Sequence, residues 1–119
     1  MGNIDLQKEF EKIEQRIAED AAKNRDITGL LRAKVRLLKV AYSQLSEAVD
    51  KDKPANIAPL FARELAFLNN IKDIQNDINE DISETNAEIE KVHAKMYENG
   101  LGWILENMPE KVEPEENWF

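Results

Sequence analysis

The apolar positions of this chain fall at helical spacing almost throughout. Leu6, Phe10, Ile13, Ile17 and Ala21 recur at intervals of 4, 3, 4 and 4, which places them on one face of a helix. That spacing predicts a first helix from about Asp5 to about Lys23. A second stripe, Leu31, Val35, Leu38, Tyr42, Leu45 and Val49, alternates intervals of 4 and 3, the seam of coiled-coil-like packing. Leu30, Leu37 and Ala41 widen it, so this second helix is expected to touch two neighbours. Asp26 and Thr28 are candidate caps ahead of it, with Gly29 in its first turn.

The connector is KDKPAN, residues 51–56. Pro54 stops the second helix, Asn56 is a candidate cap for the third, and Pro59 falls in the first turn, where a missing N–H does no harm. From there the pattern runs on through Phe61, Leu65, Leu68, Ile71, Ile74, Ile78, Ile82, Ile89, Val92 and Met96. No glycine or proline interrupts it before Asn99-Gly100, a helix stop. Unbroken, this third helix is about 41 residues and about 60 Å long, twice the length of the first two.

An all-α fold follows, in one of two forms. In the first, helices one and two and the front of helix three form an antiparallel hairpin and three-helix bundle. Residues 78–98 then overhang with an uncovered stripe of Ile78, Ile82, Ile89, Val92 and Met96. An uncovered stripe marks an interface, so this form self-associates through its overhang, and it is the expected one. In the second, a break near Asn76–Asn79 yields four helices in a closed bundle. Asn69, Asn70, Asn76, Asn79 and Asn86, poor helix formers, keep that form open.

After Gly100 the pattern changes. Residues 1–100 read as the helical domain and 101–119 as a separate tail. Leu101, Trp103, Ile104, Leu105 and Met108 predict a short apolar helix, which Gly102 loosens. The chain then ends in PEKVEPEENWF, where Pro109 and Pro114 enforce an extended path. Trp118 and Phe119, together with Trp103, have two readings. They pack onto the stripe of Ile89, Val92 and Met96, or they form a docking peptide for another protein, acidic for steering and aromatic for anchoring.

Composition narrows the chemistry. The 119 residues contain no cysteine and a single histidine, His93, which excludes disulfides, thiolate metal sites and a two-histidine site within one chain. Glu90-Lys91-Val92-His93 is one Glu-x-x-His motif, where a ferritin-like di-iron centre needs two and two further glutamates. Asp77, Asp81 and Glu84 share a helix face, and such a charge run reads as a solvated surface. No Ser-His-Asp set, phosphate loop or buried carboxylate pair is legible, so no catalytic residue, metal or cofactor is expected. The longest apolar runs are too short to span a membrane. MGNIDLQKEF has no basic region followed by an apolar stretch, so a cytoplasmic protein is expected.

The net charge of -8 is unevenly spread. Residues 1–71 are nearly balanced at +1, while residues 72–119 carry -9. Against that background stands a basic cluster, Arg32, Lys34, Arg36 and Lys39, with no acidic residue from Ile27 to Ser46. Arg32, Arg36 and Lys39 form one strip at i, i+4, i+7. It reads either as a charge match to a neighbouring helix, Arg32 meeting Asp73 and Asp77, or as a phosphate-tracking strip for DNA, with affinity falling steeply with salt.

The segments 30-LLRAKVRLLKVAYSQLSEAVD-50 and 54-PANIAPLFARELAFLNNIKDI-74 resemble the oligomerisation region of small terminase subunits from tailed phages. The resemblance covers the middle third of the chain and is a pattern rather than a signature. It implies a ring-forming, non-enzymatic DNA-packaging subunit, acting in the host cell cytoplasm, whose carboxy-terminal segment contacts a large ATPase and nuclease subunit. No helix-turn-helix reading domain precedes the hairpin. The expected function is therefore a non-enzymatic, oligomeric helical adaptor, packaging-like. The alternative is an acidic phage-type inhibitor or anti-defence protein that binds a basic host protein.

Overall fold

A computed structural model describes residues 5–51 and 57–107. It is an all-α bundle of five helices: α1 (Leu6–Ala22), α2 (Thr28–Lys51), α3 (Ala58–Asp77), α4 (Ser83–Glu98) and α5 (Gly102–Asn107). None is long and apolar enough to cross a membrane among the described residues. Pro54, Asn56, Trp118 and Phe119 lie outside those residues, and so do both readings of the last two.

Local chemistry accounts for the helix starts. The Asp5 carboxylate accepts from the Lys8 N–H at 3.2 Å and caps α1. Asp26 accepts from the Thr28 N–H at 2.9 Å ahead of α2. Pro59 occupies the first turn of α3, where its fixed φ suits the helix.

The expected 41-residue third helix does not form. α3 ends at Asp77, and α4 begins afresh at Ser83. The cause is Asn79, whose φ of 59° lies in the left-handed region. The Glu80 N–H then reaches back to the Gln75 carbonyl at 2.7 Å and the Asn79 N–H to the Asn76 carbonyl at 3.2 Å. This paired closure is a Schellman turn, which satisfies carbonyls that a helix end leaves open. Asp81 next accepts from the Ser83 N–H at 3.0 Å and the Ser83 hydroxyl at 2.7 Å, which starts α4. Asparagine tolerates the left-handed region better than other non-glycine residues, so the turn needs no glycine.

The same device closes α1. Asn24 has a φ of 57°, Arg25 donates to the Asp20 carbonyl at 2.8 Å and Asn24 to that of Ala21 at 3.1 Å. Asn24-Arg25-Asp26-Ile27-Thr28 and Asn79-Glu80-Asp81-Ile82-Ser83 are one motif used twice: a left-handed asparagine, then an aspartate whose carboxylate accepts the first N–H of the next helix. α4 ends in the same turn with Gly100 at φ 72°, and Leu101 donates to the Met96 carbonyl at 2.8 Å.

Because α4 folds back, the expected overhang disappears. Val92 and Met96 are buried in the same core as Phe61, Leu65, Leu68 and Ile71, and Ile78 and Ile89 pack against it. Those residues belong to the chain's own core instead of a free stripe, and Ile82 is half-buried at the turn. α3 is the central element. It buries residues on nearly every side, from Phe61 to Gln75, and it contacts both α2 and α4. α1 packs on α2 and buries only Phe10. Leu101, Ile104 and Leu105 bring the α5 segment onto the same core.

Candidate functional site

α2 and α4 flank α3 and leave between them a cleft of about 410 Å³. Its floor is Leu68 and Ile71 of α3. Its walls are polar: Tyr42, Glu47 and Asp50 from α2, and Glu84, Thr85 and Glu88 from α4, with Lys39 at one side. Helical spacing explains the set. Tyr42, Ser46 and Asp50 are spaced by four along α2, as are Glu84 and Glu88 along α4, so each row presents one edge to the cleft.

A hydrogen-bonded network holds the walls together. Tyr42 Oη donates to Glu88 Oε2 at 2.8 Å, and Lys91 Nζ donates to Glu88 Oε1 at 3.1 Å. Burial pushes the Glu88 carboxyl up, but these two bonds outweigh it and hold it below the usual carboxylate range. Burial, reinforced by the Glu88 bond, raises the Tyr42 hydroxyl well above its ordinary value. Lys95 Nζ donates to Asp50 Oδ1 at 2.9 Å, which raises the Lys95 ammonium. Thr85 Oγ1 donates to Gln75 Oε1 at 2.6 Å in a buried bond that ties α4 to α3.

Glu64 sits in the core beside this network. It is only 1% exposed, and its Oε1 has no hydrogen-bond partner. Burial raises its pKa to about 7, against the pull of Lys95 and with the help of Asp50 and Glu88. A buried carboxyl with an unpartnered oxygen is costly when ionised, so the neutral acid is favoured up to neutral pH.

The basic cluster is divided. Arg32 Nε meets Glu80 Oε1 at 3.0 Å in the α3–α4 turn. Lys34 pairs with Glu14 of α1. Arg36 and Lys39 are exposed, and Lys39 borders the cleft. Two of the four cations thus pair with carboxylates of the chain itself. Trp103 lies on α5 and is 63% exposed. His93 is half-buried and Glu90 exposed. No group of three or more metal-ligating side chains comes together among the described residues.

Periodicity missed Glu64, although a signal was present. It falls at i+3 from Phe61 and i-4 from Leu68, inside the apolar face of α3. The pairing of Tyr42 with Glu88 spans 46 residues and leaves no local trace. Fold and cleft together define a small all-α bundle with a carboxylate-walled cleft. Compared with known proteins, the chain matches no family model, no curated protein and no solved structure.

Proposed function

We propose that this chain is a non-enzymatic helical adaptor that engages a basic segment of a partner protein. The observation that supports it is the cleft, where Glu47, Asp50, Glu84 and Glu88 converge over an apolar floor. A cationic side chain entering there meets carboxylates on both walls and apolar surface for its methylene stem. Residues 72–119, which supply the α4 wall, carry -9, and a field of one sign steers oppositely charged partners.

The oligomeric, packaging-like reading has less support, because the stripe that motivated it lies in the chain's own core. DNA binding also has less, because Arg32 and Lys34 pair internally. The test is calorimetric titration of the intact chain with a nona-arginine peptide. Binding is expected, weakening steeply with salt. Replacing the exposed wall residues Glu47 and Glu84 by glutamine weakens it about threefold per charge at low salt. No binding of the peptide, or an affinity indifferent to both salt and these substitutions, contradicts the proposal.

A further inference from the structure

α4 has two flanks. Glu84, Glu88, Lys91 and Lys95 form the one turned toward α2, and their charges are largely engaged there. Glu90, His93 and Tyr97 form the other by the same helical spacing. At its end the chain makes the Gly100 turn and enters α5.

Two aromatics stand exposed at this corner. Tyr97 is 59% exposed and Trp103 63%, and they are the largest exposed apolar side chains among the described residues. One side of Tyr97 also rests on the chain. A Cβ built on Gly102 would run into the Tyr97 ring, so the ring lies against the α5 backbone, and only glycine permits that approach. Trp103 is the next residue. Glu90 shares the Tyr97 flank of α4 and Glu106 follows Trp103 by three residues on α5, and both are exposed. The corner therefore offers aromatic faces amid carboxylates, while the lysines of α4 belong to the opposite flank.

The geometry points to a second binding surface at the Tyr97–Trp103 corner, which takes a guanidinium-bearing segment of a protein partner. Guanidinium stacks on indole and phenol faces and bonds carboxylates in the same pose. Trp and Tyr are among the residues that most often dominate an interface. A glutamate-rich segment is repelled, and a purely apolar one leaves the carboxylates without partners. This inference rests on the same preference for basic partners as the proposed function, but on different residues and a different face.

The test is titration of the intact chain with nona-arginine, with nona-glutamate as the comparison. Trp103→Ala and Tyr97→Ala are each expected to weaken the arginine peptide about tenfold, and Trp103→Phe to restore most of it. Both side chains are exposed, so thermal midpoints stay close to the parent value and report that the fold persists. Gly102→Ala displaces the Tyr97 ring without removing an aromatic, and it weakens binding as well. Unchanged affinity in Trp103→Ala and Tyr97→Ala, with Glu47→Gln and Glu84→Gln still weakening it, overturns the corner and leaves the cleft. No binding of nona-arginine overturns both.

Discussion

The molecule contains two helical hairpins built on one turn and put to different uses. α1–α2 and α3–α4 both reverse at an asparagine in the left-handed region, followed by an aspartate that accepts the next helix's first N–H. The closing hydrogen bonds match pair for pair. Yet α3 buries nine residues and α1 buries one. Turn chemistry sets the reversal in each case. What a hairpin then builds is decided by how much apolar surface its helices bring, and α3 is apolar nearly all round whereas α1 carries a single stripe.

The sharpest way to break the comparison is to truncate one phenylalanine in each hairpin. Phe61→Ala leaves a hole in the fully buried core of α3 and is expected to cost about 3–5 kcal/mol. Phe10→Ala removes the one buried anchor of α1 and costs about 1–2 kcal/mol, since α1 can open without the rest. Chemical denaturation measures the first, and amide exchange shows the second as loss of protection confined to α1. Equal global losses would mean that α1 is as integral as α3.

Glu64 sharpens the contrast further, because it is a titratable group that α3 holds buried. Its folded pKa of about 7 lies above the ordinary 4.5. Ionisation is therefore disfavoured in the folded chain. Its contribution to stability is whole below about pH 4.5 and is lost as the pH rises through 7. Tyr42 and Asp50 face it from α2, and Glu88 and Lys95 from α4. Glu64→Gln removes the titration. At pH 8 the variant is expected to be more stable by up to roughly 3 kcal/mol, and at pH 4 to match the parent. Unfolding curves at the two pH values check this, and a difference that does not change with pH contradicts it.

The smallest effects belong to the turns. Asn79→Ala places an alanine in the left-handed region and costs about 1 kcal/mol, while Asn79→Gly is neutral or slightly stabilising. Asn24→Ala is expected to show the same local cost with less effect on the global midpoint, because only α1 depends on it.

Much of this fold was legible in the sequence. The stripes of α1 and α2, Pro59 at the head of α3 and the stop at Gly100 all follow from spacing and from the restricted residues. The break at Asn79 was not legible by periodicity. Ile74, Ile78, Ile82 and Ile89 carry the apolar rhythm straight through it, with no glycine or proline. The signal lay elsewhere, in the repeat of Asn-x-Asp-Ile-Ser/Thr at 24–28 and 79–83, which marks a reversal by its turn chemistry. The site was less legible. Its pairings are not local in sequence: Glu88 of α4 meets Tyr42 of α2, and Asp50 of α2 meets Lys95 of α4. Arg32 found a carboxylate as its charge implied, but on Glu80, because the turn carries that residue to it.

The cleft exists only if α4 folds back on α3, and that is the central structural claim. The absence of cysteine makes it directly measurable, since cysteines introduced at Ala62 and Glu98 take spin labels at defined positions. Pulsed electron resonance between them is expected to give a distance of about 20 Å or less, as for neighbouring packed helices with label arms. A value near 54 Å, the span of a continuous helix between those positions at 1.5 Å per residue, would mean that the hairpin is open and the cleft does not form.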